Sequence, residues 1–304
     1  IQGTGTLTGP REVTVDGTAY TGKAVVLASG SYSKSLPGLE VDGEKVISSE
    51  HALRLDRVPA SAIVLGGGVI GCEFASVWRS FGAEVTIVEA LPRLVPTEDE
   101  ACSKAVERAF RKRGIAFKTS ARFQSVERTV SGVKVSLETG DVVEADLLLV
   151  AVGRGPNTEG LGYEQVGVAM DRGFVPTDER LRTNVDGVFA VGDIVPGLQL
   201  AHRGFQQGIF VAEEIGGLNP APIDESGIPR VTYSDPEVAS VGLTEVQAKE
   251  RLGEDKVATY EYNLGGNGKS QILKTAAIVK LDREKDGPVP AVHMVSARVR
   301  EPAS

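Results

Sequence analysis

The chain has 304 residues, of which 41% are hydrophobic and 24% charged, and it carries a formal net charge of −8 at pH 7. That length holds one large core or two to three modest ones, and the balance of apolar and charged residues excludes a disordered chain. There is no basic stripe, no aromatic-basic interleaving, no apolar run near the ~18 residues of a membrane span and no signal peptide, so a cytoplasmic protein with neither nucleic acid nor membrane as partner is expected.

The chain opens Ile1-Gln2-Gly3 without a methionine, inside what reads as a strand-turn-strand, and is expected to be a fragment. Residues 1–38 read as short strands around Thr6 to Leu7, Arg11 to Val15 and Lys23 to Ala28, punctuated by Gly9-Pro10, Asp16-Gly17 and Gly22. Gly3-x-Gly5-x-x-x-Gly9 is followed by Pro10 and further β-formers instead of a helix, so it reads as a β-turn segment. Ser29-Gly30-Ser31 ends this stretch, Pro37-Gly38 marks a boundary, and Ser48-Ser-Glu-His-Ala-Leu53 resembles a capped short helix.

The apolar run Ala62 to Leu65 leads into Gly66-x-Gly68-x-x-Gly71, and from Val69 to Phe81 apolar residues recur at helical spacing without proline. Gly66 suits the tight turn, Gly68 lets backbone approach a pyrophosphate, Gly71 lets helix and strand pack closely, and the helix N-terminus offers N–H groups to an anion. A second strand, Val85 to Val88, ends in Glu89, where this fold places an acid against a ribose 2′-hydroxyl and so favours NAD over NADP. Alone, the glycine pattern would be weak. Strand, turn, helix, second strand and terminal acid in register point to a nicotinamide dinucleotide.

A helix is expected over 97–113, opening at Thr97 with Glu98, Asp99 and Glu100 in its first turn and closing on Arg111, Lys112, Arg113 and Gly114. Residues 117–145 alternate and read as an antiparallel meander. Asp146 to Val152 is a continuous apolar run, the pattern of a strand returning to a buried parallel sheet, and it ends in Gly153-Arg-Gly-Pro-Asn157. Thr183 to Asp193 is another short buried strand, followed by a helical run from Ala201 to Ile215. From about 221 the chain turns β-rich, with one helix near Thr244 to Leu252. Cys72 and Cys102 make neither a C-x-x-C nor a C-x-x-x-x-C spacing and are expected to be buried core thiols.

Several blocks in this order resemble the flavin-dependent pyridine nucleotide-disulfide oxidoreductases, and within them the dihydrolipoamide dehydrogenases. The carriers are Val25-Val-Leu-Ala-Ser-Gly-Ser31, Gly66-Gly-Gly-Val-Ile-Gly-Cys-Glu73, Val150-Ala-Val-Gly-Arg-Gly-Pro-Asn157, Gly187-Val-Phe-Ala-Val-Gly-Asp193, Leu200-Ala-His-Arg203 and Tyr233-Ser-Asp-Pro-Glu-Val-Ala-Ser-Val-Gly242. The resemblance runs from Gly5 to about Val295. It implies an α/β fold with Rossmann-like FAD and NAD domains and a truncated α+β dimerisation domain. The implied division is 1–38 for the first part of the FAD domain, 39–155 for the inserted NAD domain, 156–220 for the rest of the FAD domain and 221–304 for dimerisation.

By the same resemblance Gly66, Gly67, Gly68, Val69, Ile70 and Gly71 line the NAD pyrophosphate, with Glu89 on the ribose. Glu73 matches the acid near the nicotinamide and Gly153 a backbone contact beside it. Phe123 matches a residue touching adenine, although an apolar strand residue there reads equally well as core. Asp193 matches the acid on the flavin ribityl chain, and Gln199, Leu200, Ala201 and His202 lie against the flavin's pyrimidine side. Read from the residues alone, Asp193 is a strand-end Asx-turn and His202 a helix N-terminal residue. Ser29, Gly30 and Ser31 match a second flavin-side turn, and Gly5 the approach to the adenine half of FAD.

The reaction the resemblance implies passes a hydride from dihydrolipoamide, on a carrier domain of a 2-oxoacid dehydrogenase complex, through FAD to NAD, within a homodimer and as part of cell redox homeostasis. The chain shows no first glycine-rich βαβ unit for FAD and no pair of redox cysteines. None of its three histidines, His51, His202 and His293, is followed by the Pro-Thr that marks the family's base. No catalytic residue and no metal ligand is therefore assigned, and the isolated chain is expected to be inactive and to retain FAD poorly. After Val295 the family continues through a glycine-containing turn into a long helix, whereas this chain reads Ser296-Ala-Arg-Val-Arg300-Glu-Pro302-Ala-Ser304, and Pro302 would break such a helix early. A non-catalytic NAD-binding remnant, a soluble transhydrogenase and a mercuric reductase remain alternatives. Glu89-Ala-Leu-Pro-Arg93 weighs against an NADP-dependent glutathione reductase.

Overall fold

In the computed structural model, which describes residues 1–273, 277–285 and 287–299, the run Ser61–Leu65 is the central strand of a five-stranded parallel sheet. Its order is Val46–Ser48, Leu147–Val150, Ser61–Leu65, Glu84–Val88 and Ala116–Lys118. The two central runs, Ala62 to Leu65 and Leu147 to Val150, are unbroken apolar and buried because both faces are covered. Ala62 and Val64 point towards helices Val69–Ser80 and Glu100–Arg113, where Cys72, Ala75, Trp78, Val106 and Phe110 complete one core. Ile63 and Leu65 point the other way, into a second core closed by Val133, Val135 and Leu137 of the meander. That meander is the antiparallel sheet Phe123–Arg128, Val133–Leu137, Val142–Ala145; it starts later than the expected 117, because Phe117 and Lys118 pair in parallel with Ile87 and Val88 as the edge of the parallel sheet.

The helix over 97–113 starts later than its composition suggested. Its first residue is Glu100, and Asp99 is the N-cap, accepting a hydrogen bond from the Ala101 N–H at 2.9 Å. Glu98 and Asp99 are only 2% exposed, so they are buried polar groups with specific partners and not solvated charges facing the helix dipole. The C-terminal end is as expected, with Gly114 in the left-handed conformation at φ 75° behind three basic residues.

Two compact units make up the chain, one from Ile1–Tyr32 and Arg154–Glu225, the other from Ser33–Gly153 and Ser226–Ser304. The first holds an antiparallel sheet of Gly5–Gly9, Glu12–Val15 and Thr18–Thr21, a parallel pair of Val25–Leu27 with Val188–Ala190, and helix Ala201–Ile215. The Gly3 to Gly9 segment is thus β structure, as its lack of a following helix implied. Strand Thr18–Thr21 had no signature, since all four of its residues are exposed and only backbone pairing specifies it.

The second unit also contains a five-stranded antiparallel sheet, ordered Arg230–Thr232, Glu237–Gly242, Ala291–Ser296, Ile278–Glu284 and Val257–Asn263. Helix Glu245–Leu252 follows a capping box at Thr244 and Gln247. Val238 and Val295 of this sheet join the core that contains Phe110 and Trp78. Among the described residues no helix is long and apolar enough to cross a membrane. Pro302, invoked above as a helix breaker, lies outside the described residues.

Candidate dinucleotide-binding site

The turn at Gly66–Gly71 has the geometry its spacing implied. Gly66 takes φ 110°, and a Cβ there would stand 2.3 Å from the Ala151 carbonyl oxygen. At Gly71 a Cβ would lie 1.9 Å from the Gly66 carbonyl oxygen and 3.1 Å from Val64, so the helix lies against its strand closer than any side chain permits. Gly68 is the N-cap of helix Val69–Ser80, and nothing lies within 4 Å of where its Cβ would be. Open space before an uncapped helix N-terminus is what a bound phosphate needs, and Val69 and Ile70 form the first turn behind it.

Glu89 is 7% exposed, and both of its oxygens are bound to backbone. Its Oε2 accepts the Gly67 N–H at 2.6 Å and its Oε1 the Leu91 N–H at 2.7 Å. The acid therefore clamps the glycine turn itself, while each oxygen keeps a second lone pair for a ribose hydroxyl. Gly67 is further enclosed, because the Val95 N–H donates to its carbonyl at 2.7 Å. Val95 sits at φ 42°, a strained conformation for a β-branched residue that the surrounding contacts must hold. Arg93, read as a surface or helix-lead residue, instead donates to the carbonyls of Pro96 and Glu98 and to Ser103 Oγ, fixing this loop from inside.

Cys72 is fully buried and its thiol donates to the Gly67 carbonyl at 3.3 Å. Burial, reinforced by the nearby Glu89, Glu73 and Glu107, pushes this thiol up to about 12, and burial likewise pushes Cys102 up to about 12. Both stay protonated at neutral pH and are core thiols, as their spacing suggested. Glu73, half-buried on the next turn of the helix, is raised by burial even though the Tyr233 N–H donates to it at 2.8 Å. Gly153 is exposed at φ 114° with open space at its Cβ position, and its carbonyl accepts the Lys34 N–H. Phe123 pairs with Leu137 across the meander and packs against the second core.

The residues assigned to the flavin side lie in the other unit. The Ser31 hydroxyl donates to Asp193 at 2.5 Å, Arg154 donates to both Ser31 Oγ and Ser31 O at 2.7 Å, and Tyr163 donates to Ser29 Oγ at 3.0 Å. Gly30, at φ 74°, accepts the Asn157 N–H. Gln199 reaches the Asp193 carbonyl at 3.4 Å, Leu200 is the N-cap of helix Ala201–Ile215, and Ala201 and His202 are exposed on its first turn. Gly5 starts the first strand, exposed, with Val13 as its neighbour.

Arg203 was quoted above only as part of a block, yet it organises this region. It is 2% exposed and donates to both Glu225 oxygens at 2.8 and 2.7 Å, to Pro196 O at 2.7 Å and to Leu198 O at 3.1 Å. Gln207, one turn on, accepts the Gly192 N–H at 2.7 Å and donates to Glu225 at 3.1 Å. Together they fix the loop that presents Asp193. The available signal was an arginine and a glutamine in phase with the buried Phe210 and Val211 on one helix face.

Asp99, Asp282 and His293 bring potential ligand atoms within 4.8 Å of one another among the described residues. The cationic charge there is already supplied by Lys280, whose Nζ donates to Asp99 at 2.8 Å and to Glu245 at 2.6 Å. His293 is fully buried, with Nδ1 against Ser240 Oγ and Nε2 against the Leu243 carbonyl.

Residues 1–208 match the family model described as pyridine nucleotide-disulphide oxidoreductase, and residues 228–303 match the dimerisation domain of the same family. A mitochondrial dihydrolipoyl dehydrogenase of Pisum sativum is 37% identical over 99% of this chain and 62% of that protein. A dihydrolipoyl dehydrogenase of Rhizobium etli is 40% identical over 96% of this chain and 62% of that protein. Among solved structures, LpdA of Mycobacterium tuberculosis superposes with a TM-score of 0.87 at 29% identity, covering 97% of this chain and 67% of that one. The flavoprotein disulfide reductase RclA of Escherichia coli gives 0.88 at 26% identity, covering 99% and 70%. The chain thus spans 62% of the length of these two curated relatives.

Proposed function

The chain belongs to the pyridine nucleotide-disulphide oxidoreductase family, and from that premise we propose that it carries the NAD site and the flavin-side turns of a dihydrolipoamide:NAD oxidoreductase. The observation that carries this reading is the glycine turn itself: open space at Gly68 before an uncapped helix, with the Glu89 carboxylate bound to the Gly67 N–H beside it. On this reading 39–155 is the NAD domain, 1–38 and 156–220 belong to the flavin domain, and 221–304 serves dimerisation.

In that scheme the N–H groups at the start of helix Val69–Ser80 and the backbone at Gly68 take the NAD pyrophosphate, while Gly67, its N–H held by Glu89, shapes the turn beside it. Glu89 orients the adenosine ribose through the lone pairs its two backbone bonds leave free, and rejects a 2′-phosphate by charge. Glu73, with its proton affinity raised by burial, faces the nicotinamide end. FAD, where bound, supplies the two-electron chemistry between dithiol and nicotinamide. Asp193, held by Ser31, and the helix start at Gln199, Leu200, Ala201 and His202 would grip its ribityl and pyrimidine parts. The dithiol substrate is dihydrolipoamide, borne on a carrier domain of a 2-oxoacid dehydrogenase complex, and the active assembly is a homodimer in the cytoplasm.

The alternative reading is an NAD-binding module without redox turnover of its own. The only two thiols in the sequence are buried and held near 12, so neither exchanges with a disulfide. The test is a single purified sample taken through an absorption scan for flavin, calorimetric titration with NADH and NADPH, and a dihydrolipoamide-to-NAD assay. NADH binding with clear preference over NADPH is expected. Flavin and turnover together support the oxidoreductase, NADH binding without them supports the module, and absence of NADH binding overturns both.

A further inference from the structure

We propose that Lys280 is a positioning residue for the dinucleotide turn, acting from the C-terminal antiparallel sheet through the start of helix Glu100–Arg113. This rests on the reading of Gly66–Gly71 as the NAD site. Lys280 is 4% exposed, and its two carboxylate partners are Asp99 Oδ1 at 2.8 Å and Glu245 Oε2 at 2.6 Å. Both Asp99 oxygens are engaged, because Oδ1 also takes the Ala101 N–H and Oδ2 takes the Glu245 N–H at 3.0 Å.

From Asp99 the connection to the glycine turn is short. The preceding residue, Glu98, pairs with Arg230 at 3.2 Å, and its N–H donates to the Val95 carbonyl at 2.9 Å. The Val95 N–H in turn donates to the Gly67 carbonyl at 2.7 Å, and the Gly67 N–H is bound by Glu89. Val95, at φ 42°, is the strained link in this series, and strained backbone persists only where its surroundings over-determine it. Lys280 and Arg230, both from the antiparallel sheet, supply that restraint at the two residues where the loop enters its helix. Among the described residues the second oxygen of buried Glu98 has no hydrogen-bond partner, so the Arg230 contact is what its carboxylate relies on. A buried ion pair is a poor stabiliser compared with packed apolar side chains, so its use here fits a role in fixing geometry.

The test uses the full chain as Lys280→Met, Asp99→Asn and the double variant, with two readouts. NADH affinity is expected to fall roughly 5- to 10-fold in each single variant and no further in the double. Hydrogen exchange should show faster exchange at the Val95 and Glu98 amides, with Val64 and Leu149 in the parallel sheet unchanged. NADH affinity within about twofold of the parent in Lys280→Met overturns the proposal, as does a uniform loss of protection across the parallel sheet, which would make the pair a general stabiliser. If the parent chain itself does not bind NADH, the site reading fails, and exchange at Val95 still decides whether Lys280 restrains the loop. Should Lys280→Met not fold, Lys280→Gln keeps a donor near Asp99, and failure of both to fold overturns the local role.

Discussion

The turn at Gly66–Gly71 is held by packing, and the turn at Ser29–Ser31 by polar side chains. In the first, the decisive feature is absence of side chains: Gly71 lets the helix press on Gly66, and one carboxylate finishes the turn. In the second, Arg154, Asn157, Tyr163 and Asp193 converge on three small residues, while Arg203, Gln207 and Glu225 hold the Asp193 loop. Packing against a parallel sheet tolerates no added volume, and charge enters where Glu89 and the Lys280–Asp99 pair fix the loop around the turn. A polar cage tolerates small shape changes but depends on every donor keeping its acceptor.

Substitutions separate the two designs. The largest effect is expected for Gly71→Ala, since the new methyl would meet a backbone oxygen at 1.9 Å that cannot rotate away. Loss of about 3 kcal/mol or more of stability in urea unfolding is expected, with loss of NADH binding. A tolerated alanine would mean that packing does not define this turn. Arg203→Met is next. It removes donors from Glu225 and several carbonyls at once, and about 2–3 kcal/mol should go, discounted from a fully buried pair because Glu225 is 44% exposed. Changes confined to residues around Asp193 in hydrogen exchange would sharpen the contrast, and a neutral outcome would remove the polar cage as an explanation.

Glu89→Ala should weaken NADH by about 1–3 kcal/mol, because the Gly67 and Leu91 N–H groups lose their acceptor along with the ribose hydroxyls. An unchanged dissociation constant in calorimetry would refute the assignment of this acid. The smallest effect is the pH dependence of the Lys280–Asp99 contact. Burial raises Asp99, but the bonds from Lys280, Glu245 and Ala101 outweigh it and hold the carboxyl below its ordinary 3.8. Its contribution is thus present above that value and lost as pH falls through the lower folded one. Burial lowers Lys280, yet Asp99 and Glu245 raise it above its ordinary 10.5, so its contribution is complete below that value and lost as pH rises through the higher folded one. Lys280→Met should therefore flatten the stability profile at both extremes and leave its shape near pH 7 unaltered, as thermal unfolding across pH would show.

The glycine turn at Gly66–Gly71 could be read directly because its parts are adjacent in the chain and each rule is local. Four apolar residues, three glycines, a helical stripe and a second strand ending in an acid admit one arrangement of strand, turn and helix. Even there the reading placed the next helix at Thr97 instead of Glu100, since acidic residues before a helix look alike whether they cap, solvate or form buried pairs. Asp99 caps and pairs with Lys280, Glu98 pairs with Arg230, and only Glu100 lies in the first turn. At Lys280 the alternating pattern misleads in the same way, because Lys280 and Asp282 are the inward residues of their strand.

The sequence by itself determined the three inner strands of the parallel sheet, the glycine turn, most of the meander, the C-terminal β-rich module and the inert burial of both cysteines, while the two edge strands Val46–Ser48 and Ala116–Lys118 escaped it. These follow from periodicity and from glycine, which act over a few neighbouring residues. Tertiary structure alone decided that Glu89 clamps Gly67, that Arg203 organises the Asp193 loop, and that Lys280 meets Asp99. Each of those joins charged or polar groups far apart in the chain, where a side chain's partner depends on which segments the folded backbone brings within about 3 Å.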